Sequence, residues 1–144
     1  KGEYQLTNAL ENMKGKGIKF EPGKVTEWLD CGNKDATVYT NQRVLEFDKG
    51  KPSLRGKNVE ITGSIVVEPC FIGDNVRISN SIVGPHVSIG AGTIIESSIL
   101  NNSIIQASAK IINSNISNSM LGEGAEVKGK PLDLSISDYT QIIA

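Results

Sequence analysis

Aliphatic residues recur at every fifth or sixth position from residue 66 onward, each preceded two positions earlier by a small or β-branched residue. The aliphatic positions are Val66, Ile72, Ile78, Val83, Ile89, Ile95, Leu100, Ile105, Ile111, Ile116, Leu121 and Val127. A repeat this short is typical of a solenoid, because one unit cannot bury its own apolar face and must stack on its neighbours. The pattern predicts a mainly β chain whose residues 59–130 form a parallel β-helix of twelve short strands.

The spacing of the repeat also predicts which strands stack. Any three consecutive steps sum to 16 or 17 residues, so a three-sided coil of that length gives four coils, roughly 19 Å tall at a strand spacing of about 4.8 Å. The predicted stacks are Val66 with Val83, Leu100 and Ile116; Ile72 with Ile89, Ile105 and Leu121; and Ile78 with Ile95, Ile111 and Val127.

Alternation along each strand separates inward from outward positions. One inward column consists of serines, namely Ser64, Ser81, Ser98 and Ser114. Small hydroxyl side chains suit a crowded corner, and we expect them to hydrogen-bond to one another or to nearby backbone carbonyls.

The outward positions differ between the three predicted faces. They are Ile65, Ile82, Ile99 and Asn115 on the first face, Phe71, Ser88, Ile104 and Met120 on the second, and Arg77, Ile94, Lys110 and Glu126 on the third. The third face is charged enough to be solvated. The first two are apolar, and we predict that another subunit, the N-terminal segment or the C-terminal tail covers them. The alternative is an ordinary set of exposed isoleucines.

Residues 1–48 carry no repeat, and their pattern predicts a small α+β segment. Thr7 or Asn8 is expected to begin a short helix that Gly15 and Gly17 stop, with Asn8 and Glu11 spaced as a capping box. Short strands are predicted over residues 18–21 and 25–29. Asn33 is expected to cap a second helix that runs to about residue 46.

The remaining boundaries follow from turn residues and from the end of the repeat. Residues 49–58 are rich in glycine and proline and are predicted to be a linker. Residues 131–144 are apolar enough to form a tail that packs on the β-helix and covers its last coil.

Composition excludes several classes of function. The formal net charge of −1 gives no electrostatic case for nucleic acid or an anionic membrane, and no apolar stretch approaches a membrane span. The two cysteines, Cys31 and Cys70, make neither a disulfide framework nor a zinc motif, which favours a reducing cytoplasm. Cys70 occupies an inward slot and is expected in the core, whereas Cys31 is expected to be a small turn residue.

Two motifs resemble a known enzyme family. Residues 2–9 read Gly-Glu-Tyr-Gln-Leu-Thr-Asn-Ala and residues 27–32 read Glu-Trp-Leu-Asp-Cys-Gly, and the repeat follows them. This order resembles the C-terminal portion of long-form sugar-1-phosphate nucleotidyltransferases of the glucose-1-phosphate thymidylyltransferase kind. The resemblance implies a left-handed coil, which the periodicity does not determine. It also implies that residues 1–48 are the remnant of a catalytic domain.

The resemblance implies roles for individual residues. In such enzymes a sugar-1-phosphate oxygen attacks the α-phosphorus of a nucleoside triphosphate and pyrophosphate leaves. By resemblance, Asp30 helps to hold the Mg²⁺ that offsets the charge of the two anions, Glu3 contacts a sugar hydroxyl, and Trp28 shapes the substrate site. Taken without the resemblance, Asp30 reads equally well as a turn residue that caps Gly32.

The chain departs from the family pattern in three ways. Asn8 stands where the family usually has aspartate, and Asn33-Lys34 replaces the usual Thr-Pro. The glycine-rich nucleotide loop is missing, so no run of backbone amides is available to cradle phosphate. The chain therefore reads as part of a longer protein. We predict that these 144 residues bind no cofactor and turn over no substrate on their own.

Two other classes of function stay open. A hexapeptide acyltransferase uses a histidine to deprotonate the acceptor, and His86 is the only histidine. It lies at a corner beside Pro85, where a histidine is usually a solvated turn residue. The chain could also belong to a protein with both activities. The third reading is a non-enzymatic module that forms homo-oligomers through its apolar faces.

Overall fold

The computed structural model describes residues 5–130, which contain two α-helices, one 3-10 turn and thirteen short strands. The helices are α1 (Leu6–Gly15) and α2 (Lys34–Asp48), and the 3-10 turn is Pro52–Leu54. The strands are β1 (Glu60–Thr62), β2 (Ile65–Val66), β3 (Cys70–Ile72), β4 (Arg77–Ser79), β5 (Ile82–Val83), β6 (Val87–Ile89), β7 (Ile94–Glu96), β8 (Ile99–Asn101), β9 (Ser103–Ile105), β10 (Lys110–Ile112), β11 (Asn115–Ser117), β12 (Met120–Leu121) and β13 (Glu126–Lys128).

The strands wind into a β-solenoid of about four coils with three parallel sheets. The sheet orders are β2-β5-β8-β11 on the first face, β3-β6-β9-β12 on the second and β1-β4-β7-β10-β13 on the third. All three predicted stacks are confirmed by the register, in which Val66 pairs with Val83 and Val83 with Leu100. A step of 16 or 17 residues therefore fixes the pairing.

The solenoid has thirteen strands instead of the predicted twelve, and the additional strand, β1, comes first. β1 pairs with β4 and places Ile61 below Ile78. The sequence carries the signal for this strand, because Ile61 lies five residues before Val66 and Val59 precedes it by two, as the repeat requires. Both side chains pack, partly buried, against the core cluster.

The interior consists of stacked aliphatic side chains, a column of serines and two further buried polar side chains, Thr93 and Ser103. Ile78, Ile95 and Ile111 are at most 1% exposed, as expected for rungs covered above and below. Burial of this kind stabilises the fold by about 1.5–3 kcal/mol per side chain.

The serine ladder (Ser64, Ser81, Ser98, Ser114) bonds to the backbone in a repeated way. Each hydroxyl donates to the carbonyl two residues earlier, at 2.7–2.8 Å. Each hydroxyl also accepts a backbone N–H from the next coil, at 3.0–3.2 Å. The expected bonds to carbonyls are confirmed. Bonds between hydroxyls are absent from the ladder because each hydroxyl has one hydrogen and donates it to a carbonyl.

The corners between faces use residues that tolerate positive φ. Asn80, Ser97 and Asn113 follow one another at one corner with φ of 47–50°. His86, Asn102 and Asn118 form another such column, with φ of 38–62°. Asparagine adopts this conformation more readily than most residues, which explains the many asparagines in the repeat.

Helix α2 lies along the second face and contacts its second and fourth coils. Lys34 near its start donates to the carbonyl of Asn118 in the last coils, at 2.9 Å. Glu46 near its end contacts His86 in an earlier coil, at 2.7 Å. A 15-residue helix is about 22 Å long, close to the height of four coils. Its contacts run from the second coil to the fourth.

The middle of the second face is accordingly covered by the N-terminal segment, which is one of the predicted options, whereas Phe71 and Met120 on the same face stay 37 and 41% exposed. Val38 and Leu45 on α2 are only 3% exposed. Asn41 accepts a hydrogen bond from the Ser88 hydroxyl at 2.5 Å and lies 3.4 Å from the carbonyl of His86. The first face has no such cover among residues 5–130.

The N-terminal segment departs from prediction in two places. α1 begins at Leu6 with Gln5 as its N-cap, so the predicted Asn8–Glu11 capping box does not form. Residues 18–29 form no strand, because an isolated strand needs a neighbour to satisfy its backbone and the described residues supply none. Two predictions are confirmed: Gly17, at φ 81°, follows the end of α1, and Asn33 caps α2 by accepting from the Ala36 amide at 2.9 Å.

Candidate functional site

The loop that carries the Glu-Trp-Leu-Asp-Cys-Gly motif is held against α2 by its backbone. Thr40 donates its hydroxyl to the carbonyl of Asp30 at 3.1 Å, and Thr37 donates to the carbonyl of Cys31 at 3.3 Å. Arg43 adds a two-pronged ion pair with Glu27, at 2.8 and 3.2 Å. This anchoring fixes the loop while leaving its side chains free to face outward.

The Arg43 guanidinium lowers the pKa of Glu27 through its hydrogen bonds and its charge. The same guanidinium lies 4.9 Å from the centre of the Phe47 ring, a cation–π contact one helical turn further along α2. Both side chains of the ion pair are about one-third exposed, so the pair orients the loop more than it stabilises the fold.

The two predicted site residues of this loop both point outward. Trp28 is 83% exposed, and Asp30 is exposed as well. The Asp30 carboxylate turns back over Gly32, where a Cβ would stand only 3.2 Å from Oδ2. Glycine at position 32 leaves room for this carboxylate, which agrees with the turn reading of Asp30 and leaves its metal role a prediction.

The described residues do not complete a metal site. Within residues 5–130, no three His, Cys, Asp or Glu side chains cluster closely enough to hold an ion. Mg²⁺ often takes only one or two carboxylates from a protein, with phosphate and water oxygens completing its shell. The metal role of Asp30 therefore stays a prediction. Glu3, the predicted sugar contact, lies outside the described residues, as does the predicted packing of the tail.

His86 has a different environment from the one predicted. It is not a solvated corner residue, because its side chain is 16% exposed and its Nε2 lies 2.7 Å from Oε1 of Glu46. Asn102 and Asn118 occupy the same corner in the next two coils. A histidine reaches further than an asparagine, which lets this corner contact the helix.

The contact with His86 also affects the carboxyl group of Glu46. The hydrogen bond from His86 lowers the pKa of Glu46, and the nearby cations Lys49 and Arg43 act in the same direction. The Nε2 atom of His86, the candidate acyltransferase base, is therefore engaged with a carboxylate of α2. No residue predicted for nucleotidyl transfer lies in the same contact.

The two cysteines lie where the sequence predicted. Cys70 is buried in the first coil and Cys31 is exposed in the loop. Burial raises the pKa of the Cys70 thiol to about 11, so it stays protonated and unreactive near neutral pH.

Several apolar side chains are exposed singly, among them Phe71 and Met120 on the second face and Phe47 on α2. Larger groups of exposed apolar side chains occur in two regions of the described chain. The isoleucine stripe (Ile65, Ile82, Ile99) runs up the first face in register, with exposures of 60, 41 and 46%. The second region is the N-terminal segment, where one face of α1 and the loop after it are exposed. Its members are Leu6, Leu10, Met13, Ile18, Phe20, Val25 and Trp28.

Sequence reasoning missed the contacts between α2 and the solenoid. Val38, Leu45 and the Asn41 amide lie three to seven positions apart, which places them on one side of a helix. That spacing is a signal for a buried helix face, although it does not identify the surface that covers it.

Comparison with models of known protein families, with curated proteins and with solved structures found no match. Neither helix within residues 5–130 has the length and apolarity needed to cross a membrane. The functional proposal therefore depends on the motifs and on the geometry of the described residues.

Proposed function

We propose that residues 5–130 serve as an assembly module in a sugar-1-phosphate nucleotidyltransferase of the long, glucose-1-phosphate thymidylyltransferase-like kind. In this proposal the solenoid is left-handed, residues 1–48 belong to the end of the catalytic domain, and the substrates are a nucleoside triphosphate and a sugar-1-phosphate with Mg²⁺. The family assignment is supported by the order of the two motifs and the repeat. The assembly role is supported by the isoleucine stripe.

The stripe is suited to self-association because its side chains are stacked at one strand spacing on a straight face. Each isoleucine is about half exposed, so covering it contributes roughly 1 kcal/mol. A stable interface needs more area than three side chains supply, on the order of 1,200 Å² in total. Val67, which is 40% exposed and lies near Ile65 in sequence, adds to the same apolar surface.

The exposed N-terminal residues support a role next to a further domain. Leu6, Leu10 and Met13 recur at helical spacing, so they form one apolar face of α1 that no described residue covers. The anchored loop, which follows that segment in sequence, presents Trp28 and Asp30 outward. A catalytic domain packed there would cover the apolar face and receive the Asp30 carboxylate.

Light scattering at several protein concentrations tests the assembly role. The wild-type chain is expected to form a defined oligomer, and the double variant Ile82→Asn/Ile99→Asn is expected to dissociate at least about tenfold more readily. Asparagine is chosen because Asn115 continues the same column. The matched control is Ile94→Asn, an outward isoleucine between Arg77 and Lys110 on the third face. A wild-type chain that stays monomeric throughout contradicts the assembly role.

Pyrophosphate release tests the family assignment. With a nucleoside triphosphate, a sugar-1-phosphate and Mg²⁺, residues 1–144 are expected to be inactive and the product of the whole open reading frame active. Asp30→Asn in the longer protein is expected to raise its Mg²⁺ requirement, because one ligand oxygen loses its charge. Pyrophosphate release by residues 1–144 alone would contradict the assignment, and so would the absence of pyrophosphate release by the longer protein.

Binding of acetyl-coenzyme A separates this proposal from acyl transfer. If His86 is a structural contact for α2, neither the wild-type chain nor His86→Ala binds acetyl-coenzyme A. Saturable binding to the wild type together with loss of acyl transfer in His86→Ala would favour the acyltransferase.

A further inference from the structure

The described residues end at the corner where the chain would enter the first face once more. In the earlier coils this corner is formed by Asn80, Ser97 and Asn113, each with a positive φ. Gly129 takes the equivalent place one coil after Asn113, and its amide donates to the carbonyl of Ile112 at 3.0 Å. Its φ lies outside the left-handed region, although glycine adopts that region readily. Gly129 therefore does not make the turn that continues the coil.

The hydrogen bonds of Gly129 show the same departure. In the serine ladder the amide of each serine donates to the serine hydroxyl one coil below, as Ser114 does to Ser98 at 3.1 Å. The next bond of this kind, to the Ser114 hydroxyl at 3.2 Å, comes from Gly129, one residue earlier than the repeat requires. The chain is thus one residue out of step with the solenoid at the point where it leaves it.

Lys130, the last described residue, lies beside the isoleucine stripe. It lines an open depression of about 400 Å³ on the first face together with Ile99, the uppermost member of the stripe. The other lining residues belong to the third and fourth coils and are Ser97, Asn113, Ser114 and Asn115. The chain therefore leaves the solenoid toward the outer surface of the coils that precede it.

The sequence that follows Lys130 suits this surface. Pro131 disfavours a helical conformation of Lys130 and so favours an extended chain. After it, three apolar residues alternate with three polar ones, a pattern that predicts an extended segment with one apolar edge. The apolar residues are Leu132, Leu134 and Ile136, and the polar ones are Asp133, Ser135 and Ser137, all outside the described range.

The length of this segment matches the stripe. Leu132 and Ile136 are four residues apart, which is about 13 Å in an extended chain. The column of outward residues from Asn115 down to Ile65 crosses three strand spacings, which is about 14 Å. Residues 132–136 are therefore long enough to cover the whole stripe.

A segment of the same chain needs less surface than a second copy does. The three isoleucines and Val67 fall short of the area of a stable interface between two chains. A tethered segment loses little translational and rotational freedom when it docks, and a short tether keeps its effective concentration in the millimolar range. At low protein concentration the tail therefore meets the stripe before a second copy does.

We propose that residues 132–136 dock on the isoleucine stripe of their own chain, with Leu132, Leu134 and Ile136 against the isoleucines. The docked tail shields the stripe, so a second copy must displace it before the two copies associate. This consequence rests on the proposed assembly role, whereas the docking itself does not depend on it. The tail thereby raises the protein concentration at which the chain assembles.

Methyl NMR of the dilute, monomeric 144-residue chain tests the docking. Nuclear Overhauser contacts are expected between the methyl groups of Leu134 or Ile136 and those of Ile82 or Ile99. The double variant Leu134→Asn/Ile136→Asn should lose the apolar edge and shift the methyl signals of Ile82 and Ile99. Light scattering should then show self-association at least about tenfold tighter, because the free fraction of the stripe rises. The matched control Ser135→Asn/Ser137→Asn changes the opposite edge and should alter neither readout.

Absence of these contacts from the wild-type monomer, or equal effects of the two double variants, would overturn the docking. Contacts that appear only at concentrations at which the chain associates would overturn it too, because the tail then lies on a second copy. Association of the wild type in these cases leaves the assembly role standing. A chain that keeps the contacts but stays monomeric at every concentration supports the docking and contradicts the assembly role instead.

Discussion

Replacing one serine of the ladder should destabilise the whole solenoid, and Ser98 is the clearest position. It is 2% exposed, its hydroxyl donates to the carbonyl of Glu96 at 2.7 Å, and it accepts the Ser114 amide at 3.1 Å. In Ser98→Ala the Glu96 carbonyl keeps a partner, because it also accepts the Asn113 amide at 3.0 Å. The Ser114 amide loses its acceptor.

The Ser114 amide, left without an acceptor, accounts for most of the expected loss in the free energy of unfolding. An unsatisfied buried donor costs about 1–3 kcal/mol, and the lost hydroxyl bond to Glu96 adds about 0.5–1.5 kcal/mol. Part of this loss is offset, because alanine has no hydroxyl that must leave water when the chain folds. Water reaches Ser114 to some extent, since this residue is only half-buried. We therefore expect Ser98→Ala to lower the free energy of unfolding by about 2 kcal/mol.

Urea denaturation followed by far-ultraviolet circular dichroism measures this change. The control is Ser117→Ala, whose exposed hydroxyl donates to Oδ1 of Asn101 at 2.6 Å and whose loss should cost less than about 0.5 kcal/mol. Ser81→Ala orphans the amide of Ser98 in the same way. Because the two serines are direct partners in one ladder, the loss in the double variant is expected to differ from the sum of the two, and a double-mutant cycle measures this coupling. If Ser98→Ala costs no more than the control, the ladder adds no net stability and the reasoning is wrong.

A buried thiol, a paired carboxylate and a glycine at a corner each lead to one further prediction. Because burial raises the pKa of Cys70 to about 11, a thiol reagent at neutral pH should modify Cys31 alone in the folded chain and both cysteines in denaturant, and modification of both in the folded chain would contradict this. The hydrogen bond from His86 lowers the pKa of Glu46 below its ordinary 4.5, so this contact stabilises the fold above pH 4.5 and is lost as pH falls through the lower folded value; Glu46→Gln should flatten that part of the stability curve, and an unchanged curve would refute the contribution. A Cβ at Gly84 would stand 2.0 Å from the Val67 carbonyl oxygen at a φ of +105°, so Gly84→Ala should lower the melting temperature by several degrees, and an unchanged melting temperature would show that the corner relaxes freely.

The candidate site was predictable only in part. The motif loop and the start of α2 at Asn33 could be read locally, because a capping side chain acts on amides within one turn. The strands expected over residues 18–29 did not form, because apolar alternation needs a neighbouring strand that this segment does not have. The pairing of His86 with Glu46 joins residues 40 positions apart, and neither position has a periodic signal that names the other.

The sequence by itself determined the coil length, the three stacks, the inward serines and even the uncounted first strand at Ile61. It could do so because each rung contacts the equivalent rung 16 or 17 residues away, so one repeated pattern specifies every contact. Only the tertiary structure decided that α2 covers the middle of the second face, that the isoleucine stripe on the first face stays uncovered by residues 5–130, and that His86 meets Glu46. These contacts occur once each between segments of different pattern, so the packing of the whole chain selects them.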